Sequence, residues 1–101
     1  MFDPAEEINN ETAHAIIRRV ILDGGRFILT RHAKERMKLR GYTTHDVEYI
    51  LTHGGIIEKK FNDRAGNWSY KIRGDDLEGD EGGVVTAIIQ KNAILIITVL
   101  S

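Results

Sequence analysis

The residues best suited to chemistry lie together at positions 31–55, in the stretch RHAKERMKLRGYTTHDVEYILTHGG. Its first ten residues hold five cations (Arg31, Lys34, Arg36, Lys38 and Arg40), one histidine, His32, and a single acid, Glu35. Histidine is the side chain whose ordinary pKa lets it take or give a proton near neutrality. Arginine is the planar clamp for phosphate. His32 falls in the first turn of a predicted helix, where backbone amides also favour an anion, and Arg36 follows four residues later on the same face. The set is equipped to hold a phosphate and move a proton beside it. Two readings stand for each residue. His32 is a general acid or base, or it caps the helix or packs on a strand. Arg36 grips the phosphate, or pairs with an acid of the sheet.

Metal-independent RNA cleavage asks for such groups. The ribose 2′-hydroxyl attacks phosphorus with help from a base, an acid protonates the leaving 5′-oxygen, and cations offset the added charge. A positioned proton-transfer group gives about 10²–10⁴-fold, and charge stabilisation is commonly the largest contribution. Further cations come from strand-like sequence. Trp68, Tyr70 and Ile72 alternate with Ser69, Lys71 and Arg73, so burying the first set turns Lys71 and Arg73 to the open face. Burial of Ile57 and Phe61 would likewise turn Glu58 and Lys60 outward. Lys60, Lys71 and Arg73 then form a cationic strip, although a lone surface lysine is more often simply solvated. Trp68 and Tyr70 either stack bases or fill the core. Thr98 either lines the site or satisfies its strand. The candidate catalytic residues are therefore His32, Arg36, Lys60 and Lys71, and the candidate substrate-binding residues are Arg31, Arg73, Tyr70 and Thr98. His14, His45 and His53 lie on different helical faces without ligand spacing, so no metal is expected. No P-loop, dinucleotide or Gly-x-Ser-x-Gly pattern occurs, and no cofactor is expected.

These residues must be positioned by a small scaffold. The chain has 101 residues, enough for one domain with a single two-layer core. It is 42% hydrophobic and 29% charged, with a formal charge of −1, which argues against a generic nucleic-acid coat. Local cationic patches still bind phosphate. No apolar run reaches membrane-spanning length, the acidic N-terminus lacks the pattern of a signal peptide, and the absence of cysteine fits a reducing cytosol. A cytoplasmic protein is expected.

Asp3-Pro4 offers one start for a first helix and Asn9-Asn10 a later one; Gly24-Gly25 ends it. Residues 26–29 (RFIL) read as a short strand or an extended link. Thr30 caps a second helix with Ala33 and Met37 inward, stopped at Gly41. Thr43 caps a third, with Asp46 as capping-box partner, ended by Gly54-Gly55. Strands follow at 56–61, 68–73, 84–90 and 93–100, with a hairpin turn at Lys91-Asn92 and an acidic, glycine-rich mobile loop at 74–83. The expected architecture is α+β, with three N-terminal helices packed on one face of a four-stranded antiparallel sheet.

This order resembles the compact ribonuclease fold of the barnase–EndoU–colicin–RelE superfamily. One branch is an uncharacterised family carrying His-Ala, Arg-Met and Arg-Gly pairs, a capped helix, a Gly-Ile-Ile strand and a terminal Ile-Thr-Val strand. Here these are His32-Ala33, Arg36-Met37, Arg40-Gly41, residues 43–51, Gly55-Ile56-Ile57 and Ile97-Thr98-Val99. The other is the motility quorum-sensing regulator type of mRNA interferase toxin, similar in the Thr30-Arg31 helix start, a strand lysine and Trp68. The likeness spans about residues 13 to 100. It implies a toxin that cuts single-stranded RNA and is restrained by an antitoxin protein. The departures are Ser69 where the interferase has glutamine, Thr86 near its tyrosine, and no C-terminal lysine. Only its strand lysine carries over, to Lys59 or Lys60 depending on register. A non-catalytic RNA- or protein-binding module of the same fold is the alternative. Duplex DNA binding ranks last, because residues 44–53 carry Asp46 and Glu48 and no Lys or Arg. The oligomeric state is not legible.

Overall fold

A computed structural model describes residues 2–100. Helix α1 runs Asn10–Leu22, strand β1 Arg26–Leu29, helix α2 Arg31–Arg40 and helix α3 Thr44–His53. Strands β2 (Gly55–Asn62), β3 (Asn67–Asp75), β4 (Glu81–Gln90) and β5 (Ala93–Leu100) complete the chain. Each helix begins where a short polar side chain can take up an otherwise unpaired amide. Asn9 accepts from the Thr12 N–H at 2.8 Å, and Thr30 from the Ala33 N–H at 3.0 Å. Thr43 and Asp46 form a reciprocal capping box. The later of the two possible starts for α1 is therefore the one used. Asp3-Pro4 forms a separate turn, in which Asp3 receives the amides of Ala5 and Glu6.

The sheet corrects the expected architecture. It has five strands in the order β1-β5-β4-β3-β2, and β1 lies parallel to β5 while the remaining pairs are antiparallel. The four-stranded antiparallel sheet is thus incomplete by one parallel edge strand. The RFIL segment pairs residue by residue from Arg26↔Ala93 to Leu29↔Ile96, and so supplies partners to an edge of β5 that would otherwise be unpaired. At its entrance a Cβ on Gly25 would lie 2.6 Å from the Asn92 carbonyl oxygen, so the chain passes there only as glycine.

The core sits between one sheet face and the helices. Ala13, Ile17 and Val20 of α1, Ala33 and Met37 of α2, and Val47, Ile50 and Leu51 of α3 close over Tyr70, Ile72, Val84, Ile88, Ile94, Ile96 and Val99. The end of α3 approaches β3 backbone to backbone. A Cβ on Gly54 would sit 2.5 Å from the Arg73 carbonyl oxygen, and one on Gly74 would sit 2.8 Å from the Gly54 Cα. That contact explains why the glycine-rich region is not the mobile loop expected. β3 continues to Asp75 and β4 resumes at Glu81, leaving the turn 76–80. Asp76 holds this turn by accepting from the amides of Glu78 and Asp80 at 2.8 and 3.0 Å. Asp46 holds it from α3 by accepting the Leu77 N–H at 3.2 Å.

Candidate nucleic-acid interface

Strand register settles which cations face outward. Ile72, Tyr70 and Trp68 look toward the helices, so Ser69, Lys71 and Arg73 lie on the uncovered face. There Lys71 stands opposite Glu58 and Ser69 opposite Lys60. Lys59 stands opposite Tyr70, on the covered face. Its ammonium donates to Glu7 Oε2 at 2.8 Å and to the Ile8 carbonyl at 3.3 Å, and lies 6.0 Å from the centre of the Trp68 ring. Lys59 is thus tied to the N-terminal segment, and Lys60 is the outward lysine. The condition attached to Lys60, burial of Ile57 and Phe61, is not met. A register shift between Ile56 and Glu58 leaves Ile57 58% exposed, and Phe61 is 36% exposed at the end of the strand. Glu58 and Lys60 still point outward because the irregularity precedes them.

The sheet cations are not bare. Lys71 lies 3.8 Å from Glu58, and the Arg73 Nε donates to Glu81 at 3.0 Å. Lys60 borders a surface cavity of about 410 Å³ with Phe61, Asn62, Asp63, Arg64 and Ser69. Thr98 occupies the same cross-strand row as Lys71, with Val85 between them. At about 4.8 Å per strand their backbones are roughly 10 Å apart. Tyr70 is 1% exposed and faces the helices. Burial raises the pKa of its hydroxyl, against the lowering pull of a hydrogen bond with the Ile8 backbone. Enclosed in this way it packs the core and offers no surface for stacking a base.

The helical candidates belong to α2. β1 covers β5 only as far as Ile96, and α2 packs against β5. Thr30 fastens the start of α2 by donating its N–H to the Ile96 carbonyl at 3.1 Å and its hydroxyl to the Ile97 carbonyl at 3.0 Å. Beyond its end, the Tyr42 hydroxyl rests on Gly82, which has no Cβ to displace it. With Ala33 and Met37 inward, His32, Arg36 and Arg40 recur at intervals of four along one flank. His32 is exposed and Arg36 half-buried. The His32 ring has no hydrogen-bond partner among the described residues. Arg31 points to solvent and pairs with Glu35 at 3.5 Å.

Arg40 was readable only as one more cation in the sequence, yet its Nε is buried without a hydrogen-bond partner. Such atoms are few in folded proteins and call for an explanation. The His32–Arg36–Arg40 spacing was the available signal. Tyr42 lies close by; burial and then the Asp76 carboxylate raise its pKa, while Arg40 and Arg73 act in the opposite sense. α2 stands beyond β5, which is two strands from β3, so His32 and Lys71 do not close on a single phosphate. His14 is structural, its Nε2–H donating to the Leu51 carbonyl at 2.8 Å, and His53 stacks on Tyr49 at 4.1 Å. Among the described residues no group of three His, Cys, Asp or Glu side chains is placed to hold a metal ion. Also among them, no helix is long and apolar enough to cross a membrane.

Residues 29–101 match the model of a family described as a domain of unknown function, DUF4258. The match begins at Leu29, the last residue of β1, takes in α2 and every candidate residue, and leaves out α1. No curated protein and no solved structure matches the chain.

Proposed function

We propose that this chain, which belongs to the DUF4258 family, is a toxin-type, metal-independent endoribonuclease that cuts single-stranded RNA in the cytoplasm and is restrained by an antitoxin protein. The observation that carries this reading is the row His32, Arg36 and Arg40 on one flank of α2, with an exposed imidazole followed by two half-buried arginines. An RNA phosphate drawn to this flank meets a proton-transfer group and two guanidinium forks within three helical turns.

His32, as base, takes the proton of the ribose 2′-hydroxyl. The 2′-oxygen then bonds to phosphorus, and the bond from phosphorus to the 5′-oxygen breaks. The leaving 5′-oxygen takes a proton from water while His32 returns its own to solvent, giving a 2′,3′-cyclic phosphate and a 5′-hydroxyl. Arg36 and Arg40 offset the charge gathered on the phosphorane, where preorganised donors contribute most. Lys71, Arg73 and Lys60 hold the neighbouring backbone, the first two by exchanging a carboxylate partner for a phosphate. Thr98 lies in the Lys71 row between the two regions.

A second reading has its own support. No described residue orients the His32 ring, whereas an acid–base histidine is commonly positioned by a partner. A binding module with the same face would retain the cations and lack the chemistry.

Incubating the purified protein with unstructured RNA in excess EDTA separates the two. Fragments ending in cyclic phosphate support the nuclease. Salt-sensitive retention of intact RNA at high protein concentration supports the module, and neither cleavage nor retention removes both.

A further inference from the structure

The uncovered sheet face has two halves, and its cations explain only one of them. Ile28, Val85, Leu95 and Leu100 lie on it by register, with Ala87 buried among them. None of these five belongs to the core cluster beneath the helices. They form a second, half-buried aliphatic layer spread over β4, β5 and β1, and among the described residues no helix is packed across it. A continuous aliphatic layer left half-open in this way has the composition of an interaction surface.

We propose that this face docks one amphipathic helix of a partner protein, with an aliphatic ridge flanked on both sides by carboxylates. Three strands span about 10 Å from first to last, close to the 10–12 Å width of a helix with its side chains. From Leu95 to Leu100 the layer runs about 17 Å, or roughly three helical turns. The margins fix the charge of the occupant. On the β3 side stand Lys60, Lys71 and Arg73, and on the β1 side stands Arg26. Glu58 and Glu81 engage Lys71 and Arg73, while Lys60 and Arg26 are exposed and have no ion-pair partner among the described residues. An aliphatic strip between two positive margins is complementary to an apolar ridge between two acidic ones.

Other occupants fit less well. RNA gains its affinity for such a platform by stacking on aromatic rings, and this strip has none. A second copy related by a two-fold axis along the strip would set the Lys71 margin of one molecule against Arg26 of the other, bringing like charges together. The inference rests on the ribonuclease reading only for its consequence, that helix and RNA exclude each other at Lys71 and Arg73.

The probe is a synthetic helical peptide of about 18 residues, with leucines on one stripe and glutamates on both flanks. A control peptide carries lysines in place of the glutamates. Amide chemical shifts of the labelled protein are followed without RNA, so the result stands apart from any cleavage assay. The expected shifts map to β4, β5, β1 and the adjoining β3. Val85→Asp should weaken binding at least tenfold, and so should the exposed pair Lys60→Glu and Arg26→Glu, whose positions carry no risk to the core. Equal binding of the lysine-flanked peptide would overturn the proposal. So would shifts confined to the apolar groove of Ile21, Leu22, Tyr49 and Leu77, no binding of either peptide, or a wild-type dimer that Val85→Asp disperses.

Discussion

Removing the Asp46 carboxylate should destabilise the fold more than any single surface ion pair. Asp46 is 8% exposed and its two oxygens have separate duties. Oδ2 accepts from the Thr43 N–H at 2.9 Å and the Thr43 hydroxyl at 3.0 Å, closing the capping box of α3. Oδ1 accepts from the Leu77 N–H at 3.2 Å and pins the turn that leads to Glu81. Loss of a cap costs about 1 kcal/mol, and loss of a hydrogen bond to a charged group about 1.5–3 kcal/mol. Asp46→Ala should therefore cost about 3 kcal/mol, a fall in Tm of roughly 12–20 °C for a chain of this size. Asp46→Asn keeps the shape and one acceptor and should cost less.

The pH dependence has a definite sign. The Thr43 amide, followed by the Leu77 amide, holds the Asp46 carboxyl below its usual value of 3.8 despite burial. With the folded pKa depressed, its contribution is complete above the unfolded pKa and is lost as pH falls through the folded one. Urea unfolding of wild type and Asp46→Asn between pH 2 and 7 reads this directly. The stability gap should be constant above about pH 5 and shrink below the usual carboxylate pKa. A cost for Asp46→Ala under about 0.5 kcal/mol, or a gap that widens in acid, would refute the reasoning.

Other substitutions test other contacts. Gly54→Ala should cost about 1–3 kcal/mol by overpacking, because its Cβ meets the Arg73 and Ile50 carbonyl oxygens at 2.5 and 2.6 Å; unchanged unfolding would mean that α3 and β3 are not in backbone contact. Glu7→Gln should cost under about 1 kcal/mol, since the pair it forms with Lys59 is partly exposed, and the difference should vanish in molar salt. Trp68→Phe removes the indole N–H that donates to the Ala5 carbonyl at 3.0 Å. It should speed hydrogen exchange along residues 2–8 without altering exchange in β4 and β5.

Local signals were legible and distant ones were not. Thr30, Thr43 with Asp46, and Gly41 mark their helix ends because capping is decided within four residues. The alternation of Trp68, Tyr70 and Ile72 with Ser69, Lys71 and Arg73 correctly separates the two faces of β3, because both flanking strands hold it in register. The role of RFIL could not be read. Its partner begins at Ala93, and four apolar residues do not distinguish a parallel edge strand from an extended link. Ile57 was misplaced because alternation assumes an unbroken ladder. The loop at 74–83 was misjudged because Gly74 and Gly82 signal flexibility in a sequence, whereas here they admit the backbone of Gly54 and the ring of Tyr42.

For the candidate site, the sequence located the cations and the imidazole but not their spacing in three dimensions. His32 and Arg36 share a flank as expected. Lys71 and Arg73 lie two strands from β5 and bind acids of their own, Lys60 lies one strand further away, and Tyr70 is enclosed. Arg40 gained importance only through the burial of its Nε.

The most direct test of the α2 flank is the single-turnover rate of RNA cleavage in EDTA by wild type and His32→Ala, with both proteins shown to be equally folded. Loss of a proton-transfer group predicts a rate about 10²–10⁴-fold lower for the variant, with RNA binding retained. Equal rates in the two proteins would contradict the assignment of His32 and, with it, the chemistry proposed for this helix.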